Sequence, residues 1–199
     1  MLETLVAFDH KLFMLLNSSL INGFLDWFMP FITNAKTWLP IVLLLWLLMI
    51  AGSGKRLRVL ALALLVAVGF TDLFCARVIK PAVARTRPCS VEPSAGFTCR
   101  LLLPKKNSRS FPSNHAANTA AFAVVTLMIC GLKAGMPLAF LAFLVGWSRV
   151  YVGVHFPLDV LCGWLVGAIF AWLVSLCIIR WFPPDNLEIP VAPEKPGEV

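Results

Sequence analysis

The sequence predicts an all-α integral membrane protein, a six-helix transmembrane bundle with an N-terminal interfacial amphipathic helix. Of its 199 residues, 59% are hydrophobic and only 14% are charged, and the mean hydropathy is +0.84, far from the composition of a soluble domain. Apolar runs recur along most of the chain, so we expect one membrane domain over residues 1–182. The proline-rich residues 183–199 are expected to form a disordered cytoplasmic tail.

The N-terminal region differs from the apolar runs that follow it. Residues 1–19 place apolar side chains at helical spacing with charged ones between them, which is typical of a helix lying in the membrane interface. The first ten residues lack a positive start, so no cleavable signal peptide is expected. Residues 20–34 are apolar but short and contain Asp26, which leaves two alternatives, a short tilted span or a re-entrant helix.

The remaining spans set the predicted topology. They are expected at residues 38–51, 57–79, 113–131, 136–151 and 157–181. The cations Lys55, Arg56 and Arg58 follow the first of these runs and mark a cytoplasmic turn. Residues 80–112 therefore form an extracytoplasmic loop, residues 132–134 form a cytoplasmic turn, and both chain ends lie inside.

The extracytoplasmic loop is strongly basic. Between residues 80 and 109 the sequence has seven basic residues and one acid, a net charge of +6. In a membrane protein this concentration favours a phosphorylated lipid headgroup as the partner, rather than nucleic acid. A solvated basic loop without a partner is the alternative.

Two of the six cysteines stand apart from the others. Cys89 and Cys99 bracket a polar turn, and they can form a short disulfide if the loop faces an oxidising compartment. Free thiols are the alternative. The other four cysteines lie in apolar runs and are expected to act as small core residues.

Three polar clusters flank the predicted helices and are expected to meet at one membrane face. Ionisable groups at membrane depth are functional candidates because their burial is costly. The clusters are Lys80, Arg85 and Arg87, then Ser113 and His115, then Ser148, Arg149, His155 and Asp159. Ser113 opens an apolar helix, so it is a candidate N-cap in front of an anion-binding helix end, with capping alone as the alternative. The i, i+4 spacing of His155 and Asp159 lets the carboxylate orient the imidazole, although a purely structural contact has the same spacing.

These clusters carry a family resemblance. Residues 80–88 resemble the K-x6-R-P signature of the type-2 phosphatidic acid phosphatase superfamily, residues 112–115 its P-S-x-H and residues 148–159 its S-R-x5-H-x3-D. All three occur in order with matching spacing. Asn114 departs from the glycine that is commoner in the family and bears on headgroup preference. Vanadium haloperoxidases share the motif, but a chain this hydrophobic resembles the lipid branch.

The resemblance implies a mechanism. His155 attacks phosphorus to form a phosphohistidine, Asp159 orients its ring, and His115 protonates the leaving group and then activates water. The phosphate is bound by Lys80, Arg87, Ser113, Asn114, Ser148 and Arg149.

Two further residues are candidates for supporting roles. Arg85 is a candidate for headgroup contact, with a solvated loop arginine as the alternative. Asp72 is expected either to pair with Arg77 or to support the basic cluster. The clusters contain a single carboxylate and no set of side chains with ligand spacing, so we expect no metal and no cofactor.

The predicted function is that of a lipid phosphatase in a bacterial inner membrane, with its active site on the periplasmic or extracellular face. The resemblance allows undecaprenyl diphosphate, phosphatidylglycerol phosphate, phosphatidic acid or the lipid A phosphate as substrate. A non-catalytic anionic-lipid binding or transport protein and a lipid phosphoryltransferase are the alternatives. The sequence does not predict an oligomeric state.

Overall fold

The computed structural model describes residues 2–52, 54–91 and 97–183, and all its regular elements are helices. We number them α1 (Leu2–Met14), α2 (Gly23–Ile32), α3 (Ala35–Ala51), α4 (Lys55–Val83), α5 (Asn114–Cys130), α6 (Leu132–Tyr151) and α7 (Pro157–Trp181). A π-helical stretch, Leu15–Ser19, extends α1, and another, Cys75–Ile79, lies within α4. The predicted all-α class is confirmed, whereas the predicted tail lies, beyond Pro183, outside the described residues.

Helix length separates the apolar elements into two groups. Within the described residues, α4, α6 and α7 are long and apolar enough to cross a membrane on their own. The pair α1 and α2 passes the same test jointly but is bent by 115°. Helices α3 and α5 are apolar and have 17 residues each, close to the lower limit for a span. Length alone therefore does not yield the predicted six crossings.

Two predicted boundaries are wrong. Helix α4 continues through Lys80 to Val83, so the basic loop begins at Ala84 and Lys80 lies on the last helical turn. The long aliphatic stem of Lys80 lets its ammonium group reach the polar end of the helix. Helix α6 begins at Leu132 because Gly131, with φ of +83°, reverses the chain in one residue. The predicted turn at residues 132–134 is therefore helical.

Helices α4, α5 and α7 form the centre of the bundle. Their contact consists largely of small buried side chains, including Ala67 of α4, Ala121 of α5 and Ala171 of α7, and such residues let helix backbones approach closely. A Cβ on Gly163 of α7 would lie only 2.6 Å from the carbonyl oxygen of Ser113. This approach brings the N-terminal ends of α5 and α7 side by side.

The N-terminal segment packs on the same end of the bundle. The Asn17 amide donates to the carbonyl oxygens of Arg100 and Tyr151 at 2.8 and 2.7 Å. Asp26 of α2 accepts hydrogen bonds from the Tyr151 hydroxyl at 2.6 Å and the Arg100 guanidinium at 2.7 Å. Arg100, one of the cations in the basic loop, is thus neutralised by Asp26.

The faces of α1 differ from the predicted amphipathic pattern. Leu5 and Phe8 are 47% and 61% exposed, while Asp9 is only 1% exposed and Phe13 is fully buried. The helix therefore turns one acid inward together with part of its apolar stripe. Asp9 faces inward because it forms an ion pair with Arg85, which the sequence pattern does not show.

Candidate active site

Hydrogen bonds join the first motif segment to the other two. The Lys80 ammonium donates to the carbonyl oxygen of Pro112 at 2.7 Å, which links the end of α4 to the segment before α5. The Arg87 guanidinium donates to the carbonyl oxygen of Val154 at 2.7 Å, which links the loop to the segment before α7. Both cations are thereby fixed at the same end of the bundle.

A third hydrogen bond joins the second and third segments. The backbone N–H of Ser113 donates to the carbonyl oxygen of Asp159 at 2.9 Å. The close approach at Gly163 makes this bond geometrically feasible. The three segments predicted to converge therefore do meet at one end of the bundle.

The turn between α6 and α7 fixes the backbone of His155. Gly153, with φ of +83°, ends α6 in the left-handed conformation that favours glycine. The backbone N–H groups of Val154 and His155 both donate to the carbonyl oxygen of Arg149 at 3.2 Å. The spacing between Arg149 and His155 is thus the length of a helix-ending turn.

The His155 ring lies between a carboxylate and a guanidinium. It is 3% exposed, its Nδ1 lies 3.5 Å from Asp159 Oδ2, and its Nε2 lies 3.4 Å from Arg87 Nη1. Because a guanidinium can only donate, Nε2 is the acceptor and the ring proton belongs on Nδ1, facing Asp159. Burial, with the charges of Arg149, Arg87 and Lys80, holds the pKa of His155 well below its usual value. The ring is therefore neutral.

Asp159 is held by its own helix and by Arg85. Its Oδ2 accepts from the backbone N–H of Phe156 at 2.9 Å, and its Oδ1 accepts from Arg85 at 2.8 Å. Arg85 also pairs with Asp9 of α1. Both carboxylates are fully buried, so Arg85 contacts Asp159 inside the protein, and its contact with a lipid headgroup stays a prediction.

Sequence reasoning missed Asp9. A signal existed, since Asp9 lies four residues after Leu5 and four before Phe13, within the apolar stripe of α1. A buried acid in that stripe needs a cation, and Arg85 supplies it from 76 residues away.

Besides His155 Nδ1, which only faces Asp159 at 3.5 Å, the buried donors at this end of the bundle that have no hydrogen-bond partner among the described residues include Ser113 Oγ and Arg149 Nε. Arg149 is 2% exposed and uses Nη1 to donate to Thr33 at 2.7 Å. Ser113 occupies the predicted N-cap position of α5, yet its hydroxyl makes no capping bond. Because an unpaired buried donor is costly, these groups are suited to a ligand oxygen beside the helix N-terminus.

The Ser148 hydroxyl is bonded within its own helix. It is fully buried and donates to the carbonyl oxygen of Val145 at 2.6 Å, within α6. Its contact with a phosphate oxygen stays a prediction.

Asn114 and Asp72 also have different partners from those expected. The amide nitrogens of Asn114 and Asn118 each donate to Asp72 Oδ1 at 2.8 Å. In the part of the chain that the structure describes, no ion pair joins Asp72 to Arg77. Asp72 thus fixes α5 to α4 beside the site, and Asn114 is held by its amide nitrogen.

His115 faces a different environment from His155. It lies in the first turn of α5 and lines a cavity of about 500 Å³ whose walls are mainly apolar side chains of α3, α5 and α6. The charge of Arg149 acts on its ring. His115 therefore stands between the cationic pocket and an apolar chamber.

A disulfide joins Cys89 to Cys99, with their Cα atoms 5.3 Å apart. The Cys99 sulfur lies 3.7 Å from the carbonyl oxygen of Gly153. The bridge thus packs against the turn that carries His155.

These features define a class, a helical membrane protein with a cluster of basic side chains around a buried histidine and aspartate. The sequence model of the PAP2 superfamily, the type-2 phosphatidic acid phosphatases, matches residues 56–183. The chain is 34% identical over 176 residues to the undecaprenyl-diphosphatase of Sulfolobus acidocaldarius, covering 86% of this chain and 79% of that protein. It is 29% identical over 178 residues to the lipid A 4'-phosphatase of Bacteroides thetaiotaomicron, covering 87% of this chain and 78% of that one.

A solved structure agrees. The crystal structure of a transmembrane PAP2 type phosphatidylglycerolphosphate phosphatase from Bacillus subtilis matches with a TM-score of 0.71 and 26% identity, over 89% of this chain and 87% of that chain. The chain belongs to the PAP2 superfamily. The resemblance drawn from three motifs is confirmed, and with it the enzyme class, a membrane lipid phosphatase.

Proposed function

We propose that this chain hydrolyses the terminal phosphate of a lipid mono- or diphosphate through a phosphohistidine on His155. One observation carries the proposal: the three motif segments are hydrogen-bonded to one another around a buried imidazole. Its Nδ1 faces a carboxylate and its Nε2 faces a guanidinium. A nucleophile needs that orientation to attack a phosphate bound by the guanidinium.

In the first step, the Nε2 lone pair forms a bond to phosphorus and the bond from phosphorus to the lipid oxygen breaks. Lys80, Arg87 and Arg149 stabilise the charge that develops on the non-bridging oxygens, together with the free amides at the start of α5. Asp159 stabilises the positive ring through Nδ1–H. His115 gives its proton to the departing lipid alkoxide or lipid phosphate.

In the second step, His115 has lost its proton and acts as a base. It takes a proton from water as the water oxygen attacks phosphorus. The bond between phosphorus and Nε2 breaks, its electron pair returns to His155, and inorganic phosphate leaves. Two histidines with different surroundings thus divide the work of nucleophile and acid–base catalyst.

The cavity beside His115 supports a lipid substrate. Its walls are apolar and it borders the side chain proposed to protonate the leaving group, so the apolar part of the leaving group fits there. The relatives are named for undecaprenyl diphosphate, lipid A and phosphatidylglycerol phosphate. We keep these, with phosphatidic acid, as the candidate substrates.

The contacts of the N-terminal segment favour five crossings rather than the six predicted from the sequence. Asp9, Asn17 and Asp26 all contact the end of the bundle that carries the site, and α2 with ten residues is only about 15 Å long. We therefore place α1 and α2 on the site face and let α3 to α7 cross.

Two features orient the bundle. The Arg56 guanidinium donates to the carbonyl oxygen of Ile129 at 2.8 Å, so the predicted cytoplasmic cations lie at the end opposite the site. The disulfide at the site end is typical of an oxidising compartment. Both support an active site on the periplasmic or extracellular face of a bacterial inner membrane.

The test is phosphate release by the purified full chain in detergent across the four candidate lipids. His155→Ala and His115→Ala are expected to abolish release, and Lys80→Met to reduce it, whereas Lys133→Met at the opposite end serves as the matched control. A chelator should leave the rate unchanged. Lipid binding without release by the wild type would instead identify a non-catalytic binding protein, and transfer of phosphate to an acceptor lipid would identify a phosphoryltransferase.

A further inference from the structure

Resting on the proposed function, we infer that Asp9 of α1 is a positioning residue for the reaction. It holds Arg85 between two carboxylates, and this shared ion pair leaves Asp159 negative enough to orient His155. Asp9 lies outside the three motifs and its role follows from contacts alone.

Asp9 is engaged at both carboxylate oxygens. One oxygen pairs with Arg85 Nη2, and the other accepts from the backbone N–H of Leu158 at 2.9 Å. Leu158 lies in the first turn of α7, where backbone N–H groups have no partner within the helix. Asp9 thus binds the same helical turn that carries Asp159, and it is 1% exposed.

Arg85 connects the two acids. Its Nη1 lies 2.8 Å from Asp159 Oδ1, and its guanidinium lies 4.2 Å above the ring of Phe156. Its side chain is 20% exposed, whereas both carboxylates are fully buried. Two buried negative charges thus share one cation, and the group as a whole stays negative.

The charge balance matters because Asp159 has two tasks. It accepts from Arg85 through Oδ1 and faces His155 Nδ1 through Oδ2. If Asp9 becomes neutral, the full charge of Arg85 acts on Asp159. The carboxylate then attracts the Nδ1 proton less strongly, and His155 becomes a weaker nucleophile.

Other charged and titratable groups lie near these residues, and a substitution at Asp9 removes none of them, although the charge of Asp9 acts on His10 and Cys162. Around Asp9 and Arg85 they are His10 of α1 and Cys162 of α7. Around His155 they are Lys80, Arg87 and Arg149. The phosphate-binding cations therefore stay in place, and the effect on His155 passes through Arg85 and Asp159.

The experiment compares Asp9→Asn, Asp9→Glu and Arg85→Lys in the purified full chain, with Glu3→Gln as the control because Glu3 is exposed on the same helix. The rate kcat and KM for one lipid phosphate are measured against pH. The fraction of active enzyme is obtained from the burst of labelled phosphoenzyme, and kcat is expressed per active site.

For Asp9→Asn we expect kcat to fall by about tenfold, the lower end of the loss seen when a residue that orients a metal-binding histidine is removed. KM should change by less than about twofold, since the phosphate-binding groups are intact. With less negative charge nearby, His155 is harder to protonate, so the acid limb of kcat should move to lower pH. Asp9→Glu should recover most of the rate, Arg85→Lys should lose rate as Asp9→Asn does, and Glu3→Gln should match the wild type.

A wild-type kcat and pH profile in Asp9→Asn would overturn the inference. So would a smaller burst with an unchanged kcat per active site and an unmoved acid limb, since that pattern means that Asp9 only helps α1 to dock. His155→Ala, assayed in parallel, distinguishes a failure of the Asp9 inference from a failure of the proposed function. If it releases phosphate at the wild-type rate, the proposed mechanism fails whatever Asp9 does.

Discussion

At the scale of single residues, the two site histidines differ in what surrounds them. His155 is held by Asp159 and Arg87, whereas His115 has an apolar cavity on one side. We therefore predict that His115→Ala slows the release of a lipid alkoxide but not of a leaving group that needs no proton. With a p-nitrophenyl phosphate substrate, this variant should form the phosphoenzyme and then accumulate it, because no base activates water. Rapid-quench labelling measures the amount of phosphoenzyme. Equal phosphoenzyme levels in wild type and variant would contradict the role given to His115.

The lowered pKa of His155 has a consequence for stability. The unfolded chain binds a proton at this histidine near pH 6.5 while the folded chain does not. Between the folded and unfolded pKa values the unfolded state holds more protons, so stability falls as pH drops below about 6.5, by up to about 1.4 kcal/mol per pH unit. Thermal unfolding between pH 7.5 and 5.5 should show a smaller loss for His155→Asn than for the wild type. Parallel curves for the two proteins would contradict a neutral buried His155.

The residues that could be predicted from the sequence are those whose chemistry is local in the chain. His155 with Asp159, and Ser113 ahead of an apolar helix, are recognisable by spacing alone. The contacts that Asp9, Asp72 and Ser148 make were not predicted, because they are set by tertiary packing or by helix back-bonding. A buried charge far from its partner in sequence carries no pattern that a motif can record.

At the scale of helices, the apolar runs predicted where the central elements lie, while their ends were less certain. Hydropathy placed α7 correctly at residues 157–181, but it could not show that α4 continues past Lys80 or that Gly131 alone reverses the chain. Hydropathy also could not predict how closely α5 and α7 approach, because that distance depends on which face of each helix carries the small residues.

This close approach gives a prediction for Gly163. A methyl group there would contact the carbonyl oxygen of Ser113 at 2.6 Å, so Gly163→Ala should push apart the ends of α5 and α7. We expect a loss of about 1–3 kcal/mol in stability and a matching loss of phosphate release, because the bond from Ser113 to Asp159 lengthens. Gly69→Ala on α4, which has nothing within 4 Å, should be neutral or stabilising by about 0.5–1 kcal/mol. Equal thermal stability and activity in the two variants would contradict the account.

At the scale of the whole molecule, the proposed five crossings put α1 on the same membrane face as the site. We predict that a cysteine introduced at Glu3 is labelled by a membrane-impermeant maleimide in intact spheroplasts, as is one at Lys105. A cysteine at Lys133 should react only after lysis. The labelling is done in a background that lacks the four free cysteines, Cys75, Cys130, Cys162 and Cys177. If Glu3 behaves like Lys133, the N-terminal segment crosses and the bundle has six spans.

In the proposed mechanism, His155 carries the phosphate between the two steps. The most direct measurement is to mix the enzyme with a phosphorus-labelled lipid phosphate, quench in alkali within milliseconds and locate the label on the peptide by mass spectrometry. We expect a phosphohistidine at His155 that forms and decays at rates matching turnover and is lost in His155→Ala. In His115→Ala it should accumulate when p-nitrophenyl phosphate replaces the lipid phosphate. Turnover without any label on His155 would contradict it.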